Sequence, residues 1–155
     1  MFKRLSVVAV MLLTILQTSA EETNAIPSVF ILGIGSFKKP DYQIVLREGV
    51  LIYSKRDGSE TIECKITPTT EQWNRFRREL DRINVWQWQG DYVATNSLDG
   101  TGWKLLVGYP DRSLRKSGSN LYPDRSGKPS ATPTRAFQDY LAAVRKLIGD
   151  REFDK

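Results

Sequence analysis

Asp91, Asp99 and Asp111 stand at turns or strand ends within a stretch that also holds Trp86, Trp88, Tyr92 and Trp103. Two carboxyls at a defined separation suffice for glycoside hydrolysis, one as acid and the other as base or nucleophile. A glycan-directed hydrolase using paired carboxylates, Asp91 with Asp99 foremost, is therefore one expectation. Aspartate is also common at turns for backbone reasons, and each of the three fits that simpler role. The chain has no histidine, which removes Ser-His and Cys-His nucleophilic arrangements and histidine-containing metal sites. Cys64 is its single cysteine, too few for a zinc cluster. Asp99-Gly100-Thr101-Gly102 begins like a calcium loop but lacks the alternating carboxylates and the closing glutamate. No metal and no cofactor are expected.

The aromatic residues support a different function. Trp86 and Trp88 are spaced i, i+2, and Trp103 lies beyond a polar loop. With Tyr92, Asp99, Asn120 and Tyr122 they outline a surface on which sugar rings or a partner's side chains would stack. The opposing possibility is that Trp86, Trp88 and Trp103 fill half of the core beneath a helix. An exposed platform leads to a non-enzymatic binding module for a protein or cell-wall glycan. That function is preferred here over the hydrolase.

The elements that position these residues follow from periodicity and turn chemistry. Ser28–Phe37 forms a first strand, interrupted by Gly33 and Gly35, which admit a bulge or a close backbone approach. Glu48-Gly49 and Asp57-Gly58 each close a tight hairpin. The first pairs Leu46 with Leu51 and Ile44 with Tyr53; the second pairs Tyr53 with Ile62 and Leu51 with Cys64. Both registers put Ile44, Leu46, Leu51, Tyr53, Ile62 and Cys64 on one face of a three-stranded meander over residues 42–67. Cys64 is then a small buried hydrophobe.

Thr69-Thr70-Glu71-Gln72 is a capping box opening a helix, with Trp73, Phe76, Leu80 and Ile83 facing the sheet. Its arginines lie four residues from acids in Glu71–Arg75, Arg75–Glu79 and Arg77–Asp81, the pattern of a solvated face. Val85–Val93 is expected as a strand with Trp86, Trp88 and Tyr92 on one face. A second strand carries Trp103, Leu105, Val107 and Tyr109, and Pro110-Asp111 turns into a third over residues 112–117. Residues 118–133 are loop, and Asn120 caps a turn there. A last helix starts with Thr132 as cap and Pro133 in its first turn. It buries Phe137, Leu141, Val144 and Ile148 and ends at Gly149. The fold class is α+β, with a largely antiparallel sheet of about six strands and two helices on one face, in the order strands-helix-strands-helix.

Residues 1–20 have the layout of a cleaved secretory signal: Lys3 and Arg4, an apolar run from Val7 to Leu16, then Thr18-Ser19-Ala20. The apolar run is about half the ~20 residues that span a bilayer, so no stable membrane anchor is expected. A flexible lead at 21–27, one domain at 28–149 and a frayed charged tail at 150–155 would follow, in the periplasm or the medium. Losing Lys3 and Arg4 takes the formal charge from +5 to +3, too mild an excess to imply a nucleic-acid partner. The lone cysteine excludes an intrachain disulfide.

Trp86, Trp88, Tyr92, Asp99, Gly100, Trp103, Gly118, Asn120, Tyr122 and Pro123 follow the order Trp-x-Trp, Tyr, Asp-Gly-x-x-Trp, Gly-Ser-Asn-x-Tyr-Pro. In this the chain resembles a family of small exported bacterial domains of unknown function. The resemblance covers most of the expected mature chain, reaching back to the capped helix and the hairpin at Leu51–Tyr53. It implies no activity, cofactor or catalytic residue.

Overall fold

The computed structural model describes residues 26–94 and 100–154. The expected signal segment, most of the lead and Asp99 lie outside the described residues. Among the described residues no helix is long and apolar enough to cross a membrane.

Four strands come first: β1 Val29–Ser36, β2 Lys39–Arg47, β3 Val50–Asp57 and β4 Glu60–Ile66. Helix α1 (Thr70–Ile83) and a 3-10 turn at Val85–Gln87 lead to β5 Asp91–Val93, β6 Gly102–Gly108 and β7 Ser113–Ser119. A two-stranded ribbon, β8 Tyr122–Pro123 and β9 Pro129–Ser130, precedes helix α2 (Arg135–Leu147). The main sheet has seven strands in the order β4-β3-β2-β1-β6-β7-β5, one more than expected. It is antiparallel throughout except where β5 joins β7. The class is the expected α+β, strands-helix-strands-helix.

Both helices cover the same face of the sheet. Trp73, Phe76, Leu80 and Ile83 of α1 and Phe137, Leu141, Val144 and Leu147 of α2 are buried in one cluster with Leu32, Ile44, Leu51, Leu105 and Val107. These strand residues sit at alternate positions, the period-two signature of a sheet with one dry face. The capping box forms as its sequence predicts: Gln72 N donates to Thr69 Oγ1 at 3.2 Å and Thr69 N to Gln72 Oε1 at 2.8 Å.

The two hairpins differ in how well their turns announce their registers. Glu48 and Gly49 have φ of 51° and 79°, as a two-residue turn matched to strand twist requires. The pairs Leu46↔Leu51 and Ile44↔Tyr53 are as expected. In the second hairpin the centre is Gly58-Ser59, not Asp57-Gly58, so Tyr53 faces Cys64 and Leu51 faces Ile66. This slip of two residues preserves which face each side chain takes. Ile62 keeps its expected face, yet it is 60% exposed, because β4 forms the sheet edge. Cys64 is half-buried at that edge and packs against the core from one side.

Three other expectations need correction. Val85–Val93 is not one strand: Asn84 takes a left-handed conformation (φ 65°) at the end of α1, Val85–Gln87 is a 3-10 turn, and only Asp91–Val93 pairs as a strand. Helix α2 is capped by Thr134 rather than Thr132, with Phe137 N donating to its Oγ1 at 3.1 Å. The C-terminal tail is not frayed. Beyond Gly149 the chain turns back, Asp150 N donating to Arg145 O at 2.8 Å, and Phe153 is wholly buried against Tyr42.

Candidate functional site

Most of the residues expected to form an aromatic platform lie inside the molecule. Trp88 is 2% exposed and Trp103 4%, and Tyr92 and Tyr122 are buried as well. Trp103 stands at the centre: its ring meets Trp88, Tyr92 and Phe137 at 6.1, 5.8 and 5.2 Å, and its Nε1 donates to Leu121 O at 2.9 Å. The Tyr92 hydroxyl accepts from Gln89 N and donates to Gly127 O. These four therefore form core, not a stacking surface. Asn120 ties separate backbone segments together, its N donating to Thr101 O at 3.1 Å and its Oδ1 accepting from Thr101 N at 2.9 Å, a long-range contact in place of the turn cap expected.

Trp86 departs from its expected neighbours. It is only half-buried, and its Nε1 donates to Asp81 Oδ1 at 2.7 Å. The Arg77 and Arg112 guanidiniums lie 5.2 and 4.8 Å from its ring centre, and Arg77 also stacks on Tyr109 at 4.1 Å. Arg77 holds Asp111 with two hydrogen bonds, at 3.2 and 2.7 Å. Cation–π contacts occupy the indole, so Trp86 is a clasp and not an open platform. Of the expected helix pairs, Glu71–Arg75 and Arg77–Asp81 are present, at 3.2 and 3.6 Å, whereas Glu79 pairs with Arg82. Iodide quenching is expected to remove a fraction of the tryptophan fluorescence, and Trp86→Phe should abolish that fraction. A quenchable fraction surviving Trp86→Phe would contradict this placement.

The clasp also makes a pH prediction. Hydrogen bonds from Arg77 hold the Asp111 carboxyl down at about 2, below its ordinary 3.8. A depressed carboxylate stabilises the fold above its unfolded pKa, and that contribution is lost as pH falls through the folded one. Asp111→Asn should therefore remove a component of acid destabilisation between about pH 4 and 2. Equal slopes for both proteins over that window, in urea unfolding, would refute the linkage.

The carboxylate pairs are not assembled among the described residues. Asp91 lies beside Ser117, whose Oγ donates to it. Asp111 precedes Ser113, four strand residues further back on β7, or about 13 Å. Paired glycosidase carboxyls stand about 5–9.5 Å apart. Among the described residues no three His, Cys, Asp or Glu side chains are placed to share a metal ion.

What the fold does assemble is a surface on the other side of the sheet, which no described helix covers. Ile31 is in register with Leu106 on one side and Val45 on the other, and Val45 with Ile52. These four half-buried apolar residues form a row across β6, β1, β2 and β3, about 14 Å from end to end at ordinary strand spacing. Arg115 continues the row beyond Leu106, and Arg47 and Lys104 lie one step along their strands on either side. Among the described residues none of these three cations has an ion-pair partner.

Beside the row is a shallow basin of about 430 Å³ whose lining includes Gly33, Gly35 and Gly102, with Asp41, Gln43, Arg56 and Lys104 as its polar groups. Lys104 lies so close over Gly33 that a Cβ there would come within 2.8 Å of its Cε, and Asp41 crowds Gly35 in the same way. Asp41 and Arg56 pair at 2.7 Å with both side chains exposed, an arrangement worth about 0–1 kcal/mol. Phe37, 89% exposed, sits at the adjoining β1–β2 turn.

Periodicity did carry a signal for this surface. Val29–Ile34, Ile44–Leu46 and Val50–Tyr53 are apolar at successive positions, as strands covered on both faces are. No protein-family model matches the chain, and no curated protein is significantly similar to it.

Proposed function

We propose that this chain is an exported, non-enzymatic binding module that docks an acidic protein surface on its uncovered sheet face. The observation that carries this is the apolar row Ile31, Leu106, Val45 and Ile52, bordered by Arg47, Lys104 and Arg115, none of which has an acidic partner among the described residues. Apolar area supplies the affinity of such a contact, while unpaired rim charges steer encounter and select partners of opposite sign. A protein suits this surface better than a cell-wall glycan. Sugar rings want open aromatic faces, and the tryptophans that would have supplied them are buried or clasped. Export rests on the charged, apolar and small-residue segments of residues 1–20.

Three measurements test this proposal. A photo-crosslinking residue at position 106 should capture an acidic protein from the native extract, and one at position 142, on α2, should not. Arg115→Glu or Lys104→Glu should reduce the capture. Capture at position 106 that ignores both reversals would overturn the proposal, as would cosedimentation with insoluble cell-wall glycan that Leu106→Glu leaves unchanged. Mass spectrometry of the native protein should place its first residue at Glu21 or within one residue of it. Intact Met1 in a membrane fraction would overturn export while leaving the docking surface standing.

A further inference from the structure

The sheet ends differently on its two sides. One side closes with β5, three residues long. The other ends with β4, seven residues that pair with β3 from Leu51↔Ile66 to Asp57↔Glu60 without a break in register. No described strand lies beyond β4, and it carries neither the proline nor the bulge that commonly blunts an exposed edge. It does carry charge: Glu60 at its first position, and Glu63 and Lys65 together on the opposite face. These two are of opposite sign.

We propose that β4 pairs antiparallel with β4 of a second copy, about a two-fold axis at Cys64. The pair Asp57–Glu60 flanks a two-residue turn and is hydrogen-bonded; alternation from there turns the backbone N–H and C=O of Thr61, Glu63 and Lys65 toward the open edge. A second β4 could meet those groups in three nearby registers. Centred on Glu63, the pairing sets that carboxylate against itself. Centred on Ile62, it leaves Lys65 opposite Ser59. Centred on Cys64, it sets Glu63 opposite Lys65 twice, Ile62 opposite Ile66 twice, and Cys64 opposite Cys64.

The third register pairs all four charges of the Glu63–Lys65 face and gives exposed Ile62 an apolar neighbour. It makes the Cys64 pair a non-hydrogen-bonded one, with Cα atoms about 4.5 Å apart, inside the range a disulfide spans. Both helical layers then lie on one side and both uncovered faces on the other, in one continuous sheet. The pairing does not depend on the docking proposal, because Leu106 and Arg115 are several strands away.

Sedimentation velocity over a concentration series, in reducing buffer, tests it with a charge swap. Glu63→Lys and Lys65→Glu should each raise the dimer dissociation constant about tenfold or more, since each turns two attractive cross-strand pairs into two repulsive ones. The double variant E63K/K65E should restore it. Melting temperatures measured at monomeric dilution should stay together. Oxidised glutathione should link the copies through Cys64: two thiols give up two protons and two electrons, and the glutathione disulfide becomes two glutathione molecules. That link should weaken in the single variants and return in the double. A monomer at every concentration with no link at Cys64 would overturn the proposal. So would a dimer indifferent to both single reversals, or one the double variant fails to restore.

Discussion

Trp103→Ala is expected to cost about 3–5 kcal/mol of unfolding free energy, the usual range for truncating a large buried aromatic. The substitution removes a ring that touches Trp88, Tyr92 and Phe137 together, and it leaves Leu121 O without the indole N–H it now accepts. Single domains are stable by about 5–15 kcal/mol, so the variant would sit near its folding threshold. The urea midpoint measures this directly. A loss below about 1 kcal/mol would mean that Trp103 is not the core residue described, and would reopen the aromatic surface as a binding platform.

Phe153→Ala is expected to cost about as much, about 3–5 kcal/mol, although only two residues follow it in the sequence. Its ring is fully buried, and the backbone on either side is pinned. Arg145 donates to Phe153 O at 3.0 Å, the Tyr53 hydroxyl donates to Glu152 O at 3.0 Å, and Lys55 meets the Glu152 carboxylate at 2.5 Å. Truncation after Gly149 should therefore destabilise at least as much as Phe153→Ala. A truncated protein with the parent's melting temperature would restore the frayed tail expected from its charge.

That tail shows where local patterns stop being informative. Five of its last six residues are charged, the composition of a solvated end, and one phenylalanine outweighs them because α2 ends in a turn that aims it at Tyr42. The hairpins lie at the legible extreme. Glu48-Gly49 specifies its own turn, and even the misplaced Gly58 turn kept the faces, because a slip of two residues preserves parity. Trp86-Gln87-Trp88 alternates as a strand would, yet three residues are too few to distinguish a strand from a 3-10 turn once Asn84 has broken the helix. The uncovered face was half legible: the apolar runs promised cover on both sides of the sheet, and the chain supplies helices for one. Nothing local announces that Arg47, Lys104 and Arg115 lack ion-pair partners among the described residues, since that depends on which strands become neighbours.

The sheet order also bears on the sequence of events in folding. β1 is the first of the described strands to be synthesised, yet it is central, and one of its two neighbours is β6, whose residues lie some seventy positions later. The β2–β3–β4 meander closes through short turns and should form early, whereas β1–β6 pairing carries the large loop-closure cost of a distant contact. The C-terminal segment closes later still: Glu152 against Tyr53 spans 99 residues, and Phe153 reaches back to Tyr42. In pulsed hydrogen exchange the meander's amides should gain protection before those of β6, and simultaneous protection would contradict this order. Until α1 and α2 have been synthesised the apolar side of the meander has no helix to hide against, and Tyr42 waits for its last neighbour until residue 153 follows.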